Sequence, residues 1–497
     1  MSSQSKVCKG PAIGVRHLQS LLLFLGLTVM HIARLNVSVA IVAMTNAEST
    51  NPDFPEHHWT ERQKSYILSS FYWGYILTLC PGSFLCRRFG AKVVLFIASC
   101  GTAIFSFVTP SSIAWGGWQV FCGIRIVQGL FQGVIFPAVT EHLAVWSPPE
   151  ERNRLGAFSY TGSDCGTVLA MFISGMIAKG PLGWPGISYV SGALCGAWCI
   201  LWLICGANNA TESRFISDAE CKYIESSLQH SDDFHARNIP IPWRAICTSI
   251  PFLALLAARC SETYGLSTLQ AEIPSYMNGV LQMDIQSNAV FSSLPFLTMW
   301  MMSYVYLIIA DVLLRRKWLS LTSVRKLFNT IAFWLPAAGL IAIGFLSEEN
   351  TKMAIALMTI SVGINAGSTI GSTLNTIDLS PNHAGFLMGF SNTVANVIPI
   401  LTPLIAGLIV VDKHDRSQWQ IVFGIAAVIF FFGNCVFLIW GTAQAQPWDA
   451  EDFLTAKDTE ANTKQAPSAA PALAPPIDPV LEQQIRWTER YTAKALD

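Results

Sequence analysis

The sequence predicts an all-α membrane protein: twelve transmembrane helices in two six-helix, pseudo-symmetric bundles. Three observations lead there. The 497 residues are 52% hydrophobic and only 13% charged, about half the charged share of an ordinary soluble domain. Apolar runs of about 20 residues, long enough to cross a bilayer core, recur from Leu18 to Trp440. These runs fall as six, a polar break, and six.

The first run, 18–44, follows Lys6, Lys9 and Arg16 as a signal peptide would. It is longer than a signal h-region and lacks a small-residue cleavage site, so it reads as the first span. Spans at 64–86, 92–109, 119–146, 155–178 and 187–207 complete an amino-terminal bundle over 18–207, behind a cytoplasmic segment 1–17. Residues 208–243 form a cytoplasmic linker. Ser217 and Glu220 there have capping-box spacing, and Tyr223, Ile224 and Leu228 give one apolar face, which predicts a short amphipathic helix on the membrane surface. The carboxy-terminal bundle, 244–442, has spans at 244–272, 288–314, 326–346, 352–375, 383–410 and 418–442. From 443 to 497 an Ala/Pro-rich stretch predicts a disordered cytoplasmic tail that ends in a short helix over Gln483 to Leu496. A weak repeat aligns Pro149–Thr161 with Pro381–Thr393, as two parallel halves require.

Arg16, Arg87, Arg88, Lys92, Arg152, Arg154, Arg315, Arg316, Lys317, Arg325 and Lys326 cluster on one side of these spans. The positive-inside rule therefore puts both termini in the cytoplasm, with plasma membrane and endomembrane vesicle both open as the location. A net charge of −1 without a basic stretch excludes a nucleic-acid partner. The 13 cysteines fall nearly all within spans and read as small apolar fillers, and no metal-ligand set is present. Without a serine–histidine–acid set or a phosphate loop, no enzymatic chemistry and no cofactor are expected. The sequon at Asn209–Thr211 lies on the cytoplasmic side and that at Asn36–Ser38 inside a span, so neither is expected to carry glycan.

Polar residues within the spans point to function. An arginine at mid-bilayer costs roughly 3 kcal/mol, so it faces a cavity or a partner rather than lipid. Arg34 lies on one stripe with His31 and Ser38, and Arg125 on another with Gln128, Gly129 and Gln132. Two guanidiniums turned into one cavity would receive an anion. The plainer alternative ties each arginine to helix carbonyls or to Asp164. In the second half Arg259, Glu262 and Glu272 share one span, Asn365, Ser368, Ser372 and Asn375 recur down another, and Asn392 and Asn396 down a third. Such neutral groups line cavities or glue helices together, and Gly363, Gly367 and Gly371 suit close helix contact. Asp164 and Glu262 are the candidate coupling acids, with an ion pair to Arg259 as the rival role for Glu262.

Several stretches resemble the anion:cation symporter family of sodium-phosphate cotransporters, sialin and vesicular glutamate transporters. They include RLNVSVAIVAM from Arg34, SSFYWGYILTLCPG from Ser69, RIVQGLFQGVIFP from Arg125, WSPPEERNRL from Trp146, TSVRKLFNT from Thr322, NTIDLSPNHAGFLMGFSNT from Asn375 and QPW at Gln446. The resemblance implies a major facilitator fold and secondary active transport of inorganic phosphate or an organic anion. It places Arg34, Tyr75 and Arg125 at the anion. Leu68 stands where the vesicular glutamate branch has histidine, Gln132 where that branch and sialin keep glutamate, and Glu262 where glutamate transporters have arginine. These departures argue against glutamate, and Gln132 is similar to the insect-type inorganic phosphate cotransporter branch. Arg87 replaces the usual aspartate in GSFLCRRFGAK.

The expected protein is a sodium-coupled anion symporter acting as a monomer by alternating access. Its cavity is built from Arg34, Tyr75, Arg125, Gln132 and Glu262, with His31, Gln128, Ser368 and Asn392 lining it. Proton-coupled organic-anion transport from an acidic organelle, and a non-transporting receptor of the same fold, stand as alternatives.

Overall fold

The computed structural model describes residues 11, 13–46, 51–235, 241–346, 350–450 and 453. The chain divides into a unit Met1–Asp449 and a unit Ala450–Asp497, and the terminal helix expected in the tail lies outside the described residues. Those described form helices and no strand. The first half contains α1 (Val15–Met44), α2 (Glu61–Phe89), α3 (Ala91–Gln132), α4 (Ile135–Trp146), α5 (Pro149–Lys179) and α6 (Gly183–Cys205). The linker helix α7 (Asp218–His235) and a short α8 (Trp243–Cys247) lead to α9 (Ile250–Gly279), α10 (Ile285–Arg315) and α11 (Leu321–Phe345). One broken span follows: α12 (Thr351–Asn365), a π turn (Thr369–Thr373) and α13 (Leu374–Leu379). The last two spans are α14 (Ala384–Ala395) with α15 (Ile398–Ile409), and α16 (Arg416–Trp440).

Where the sequence predicts a loop at 110–118, helical bonding continues through α3 except at Gly117, with φ 62° and ψ −150°. A straight helix of 42 residues would measure roughly 63 Å, yet a side chain on Gly101 would strike Phe131 and Gln128 bonds to Ser106. The chain therefore reverses at Gly117, a conformation glycine adopts without a Cβ penalty, and α3 supplies two spans. Nine stretches among the described residues are long and apolar enough to cross a membrane, of which Ala91–Trp146 holds two spans. The two spans that fall short are α2 and α9, which carry Glu61, Arg62 and Lys64, and Arg259, Glu262 and Glu272. Of these, Lys64, Glu262 and Glu272 turn inward and are buried, while Arg62 is exposed. Outward, large side chains such as Ile104, Ile200, Ile308, Phe432 and Ile439 are more than half exposed, an arrangement that lipid solvates and water does not.

The expected capping box in the linker takes another form. Ser217 Oγ does accept from Glu220 N–H, but the Glu220 carboxylate reaches across to α1, accepting from Val15 N–H at 2.9 Å and from Arg16 Nη1 at 3.0 Å. An acid at a helix start meets free N–H groups there. Arg16 also donates to Glu151 at the start of α5. Tyr223 and Ile224 bury their apolar face against Trp146, Ala207 and Ala210, so α7 lies on the first half.

The two halves meet at the end of the bundle that holds Met44, Lys179, Gly279 and Ile409. Asn46 Nδ2 donates to Asn278 Oδ1 at 3.2 Å, and Ser69 Oγ donates to the Ile400 carbonyl at 2.7 Å. Gly175 lies against Ala289, and Gly407 against Ser65, so closely that a Cβ on either glycine would overlap its neighbour. Small residues are what allow backbones this close in a membrane.

Paired cysteines at Asn46 and Asn278 should cross-link efficiently, and adding Gly175→Leu or Gly407→Leu should cut the yield severalfold, as read by gel mobility. Glu220→Ala leaves buried Arg16 with Glu151 as its one carboxylate among the described residues, beside the Pro11 carbonyl, and should lower stability by about 2–4 kcal/mol, seen as earlier thermal unfolding in detergent.

Candidate anion site

Backbone contact between α2 and the second arm of α3 sets the geometry. Gly74 faces the Ile126 carbonyl, Gly129 the Phe71 carbonyl and Gly133 the Tyr75 carbonyl, each with no room for a Cβ. This close seam carries Arg125 onto the Phe71 ring, with its Cζ 4.7 Å from the centroid. Arg34 of α1 lies over three rings, 5.3 Å from Phe71, 4.9 Å from Tyr72 and 4.9 Å from Tyr75. Each such contact contributes roughly 0.5–2 kcal/mol. Rings stabilise a cation without cancelling its charge.

Both readings of the arginines meet here. Arg125 Nη2 donates to the Arg34 carbonyl at 3.0 Å and Nη1 to Gln128 Oε1 at 3.1 Å, so Arg125 is tied to a helix carbonyl. Asp164 neutralises neither guanidinium: among the described residues no ion pair includes Arg34, Arg125 or Asp164. Nε of Arg34 and Nε of Arg125 are buried without acceptors. Two positive charges, three inward-facing rings and free donors are what a small anion would need to bind. Arg34 and Arg125 line a cavity with Ser38, Tyr72, Ser267 and Gln270. It admits about 20 Å³, the space of a single water.

The remaining candidates divide. Tyr75 joins the Arg34 cage, and Gln128 orients Arg125. Gln132 is buried with Nε2 unpartnered and is not among the residues lining that cavity. His31 binds the Leu27 carbonyl at 3.0 Å and meets Phe136 edge-on. Glu262, Ser368 and Asn392 gather in the second half around Arg259. Arg259 Nη1 meets Glu262 Oε2 at 2.7 Å and Thr373 Oγ1 at 2.6 Å, while Nη2 meets Asn392 Oδ1 at 2.8 Å. Ser368 Oγ donates to the other Glu262 oxygen. Ser368 and Thr373 bracket the π turn, a distortion that often marks functional sites. Its Gly371 lies against Asn329 with no room for a Cβ.

Sequence reasoning missed the cage of Phe71 and Tyr72, although the run FYWGY was the available signal. It also missed Ser267 and Gln270, which bear no mark beyond being polar residues in an apolar span.

The fold and this charge pattern can now be set beside known proteins. Residues 23–397 match the Major Facilitator Superfamily. Among solved structures, a D-xylose-proton symporter covers 83% of this chain and 96% of its own at 14% identity, with a TM-score of 0.62. A bacterial homolog of the human lysosomal transporter Spinster, inward-facing and occupied, covers 88% of this chain and 100% of its own at 14% identity and a TM-score of 0.65. The class is therefore a multi-pass membrane transporter of the major facilitator fold, not an enzyme. The "Putative inorganic phosphate cotransporter" of Drosophila melanogaster is 37% identical over 87% of this chain and 86% of that protein. Sialin of Homo sapiens is 32% identical over 88% of this chain and 91% of its own. Vesicular glutamate transporter 1 of Xenopus laevis is 31% identical over 87% of this chain and 76% of its own. The chain belongs to the anion:cation symporter family of the major facilitator superfamily.

Arg34→Ala and Arg125→Ala should each lower anion uptake at least roughly tenfold, the effect of losing one partner of a desolvated charge pair. Membrane insertion and elution as a folded species should not change. Full uptake by both variants in reconstituted vesicles would remove these residues from the site.

Proposed function

We propose that this transporter moves inorganic phosphate or a small organic anion by alternating access, in symport with sodium. The observation that carries this reading is the pair Arg34 and Arg125, cationic and without a carboxylate partner among the described residues. A tetrahedral oxyanion offers oxygens to both guanidiniums at once. The names of the relatives support the substrate class, since a phosphate cotransporter, sialin and a vesicular glutamate transporter match over most of the chain. Gln132 cannot titrate, which favours sodium over a proton at that position. With both termini in the cytoplasm, as the loop arginines and lysines favour, the closed end faces outside or the lumen. The monomer is the transporting unit.

A second reading, proton coupling, draws on Asp164, a half-buried carboxylate on α5 with no ion pair among the described residues. Uptake of radiolabelled phosphate into vesicles, with and without an inward sodium gradient at fixed pH, separates the two. Sodium symport requires uptake to rise at least severalfold with the gradient. Flux indifferent to sodium and steeper in acid moves the coupling to a proton, and phosphate that neither enters nor competes points to an organic anion.

A further inference from the structure

Glu272 sits on α9 in the closed end of the bundle, 6% exposed, and its Oε1 has no hydrogen-bond partner. The helix around it is able to bend. Pro274 lies inside α9 and has no N–H for the Gln270 carbonyl four residues back, so the ladder is open at that turn. Toward the middle of the bundle, Ser267, Gln270 and Ala271 line the cavity shared with Arg34 and Arg125. Toward the closed end lies a second cavity of about 380 Å³, whose walls include His57, His58, Glu61, Lys64, Lys413 and His414. Glu272 thus belongs to the barrier between the anion site and the water of that end.

The charges that act on Glu272 come from α2, namely Glu61 and Lys64. Lys64 is already committed to Glu61 at 2.7 Å. The α1 stretch Leu35–Met44 and the whole of α15 carry no ionisable side chain. On α16, Arg416 donates to the Gly344 carbonyl at 3.0 Å, and Asp284 caps α10. Asp412, Lys413 and His414 line the second cavity. Burial, followed by the neighbouring charge of His58, holds the His57 imidazole below its ordinary range. An ionised Glu272 would therefore be buried with no ion pair among the described residues and one oxygen unmet, a costly arrangement. The protonated acid carries no charge and can donate.

We propose that Glu272 takes up one proton whenever this end closes, and returns it to the same side when the end opens. The proton concentration on that side then sets the balance between the two states. The step is simple in its balance: a carboxylate and a proton from the water of the second cavity give the carboxylic acid, and reopening reverses it. No proton crosses the membrane, so the driving ion of the symport is unaffected. The inference rests on alternating access but needs no particular substrate.

The test is a distance measurement on the full chain in substrate-free vesicles. Spin labels are placed at Leu182 and Val411, which are 54% and 77% exposed, through a ketone-bearing unnatural side chain that leaves the native cysteines alone. Acidifying should shift the population from the long to the short distance, by up to about tenfold per pH unit for one proton taken up. Glu272→Gln, an uncharged isostere, should remain closed and change less than about twofold over the same range. Glu272→Asp should keep the response and serves if the Gln variant does not fold. A Gln variant with the wild-type response would falsify the proposal. So would an unresponsive wild type, or a response lost on replacing His57, His58 and His414 by Asn. Because no anion is present, failure here leaves the proposed transport standing, and absent phosphate uptake leaves the gate standing.

Discussion

Two guanidiniums held among the spans, without a carboxylate partner among the described residues, constrain nearly everything else in this protein. Charge in a low-dielectric interior must be solvated by something, and here the solvation is deliberately incomplete. Rings of Phe71, Tyr72 and Tyr75 and the carbonyl of Arg34 steady the cations, yet none removes the charge. The glycine seam between α2 and α3 exists to bring those rings close enough. Had an acid replaced the rings, the site would be satisfied and an anion would gain little by entering.

The two halves answer the same problem in opposite ways. Arg259 in the second half has both terminal nitrogens on oxygens, from Glu262, Thr373 and Asn392, so its charge is met by a carboxylate. The first half is left wanting a negative guest. Similar folding thus yields a half whose arginines lack a carboxylate among the described residues and a half whose Arg259 has one, with the π turn at Thr369–Thr373 placing Ser368 on Glu262.

Closure depends on small residues rather than on strong bonds. Gly175 and Gly407 let helices of opposite halves touch along their backbones, and the polar links across the seam are weak: neutral hydrogen bonds worth about 1 kcal/mol each and one half-exposed ion pair, Lys179 with Asp284 at 3.9 Å, worth about as little. Contacts of that strength can break and form in a cycle. The linker is the contrast: Glu220 and Arg16 are both 2% exposed, and such a buried ion pair fixes α7 to the first half while the gate remains free.

What the sequence by itself determined is periodic and local. Span length, the six-plus-six order, the stripes of Arg34 and Arg125, and the linker helix all follow from spacing along one chain segment, because a bilayer enforces about 20 apolar residues per crossing and a helix fixes which residues share a face. The family stretches were legible for the same reason. What only the tertiary structure decided lies between segments far apart in sequence. Spacing offered the pair of Glu262 with Arg259 one turn away, but it cannot say that Thr373 and Asn392 would join it, that Glu220 would leave its own cap for Arg16, or that Phe71 would lie against both arginines. Nor could it place the chain reversal at Gly117 within continuous helix, or reveal which end is shut. Those outcomes depend on how closely helices approach, and that distance is set by the fit of glycine against backbone, which a hydropathy pattern does not encode.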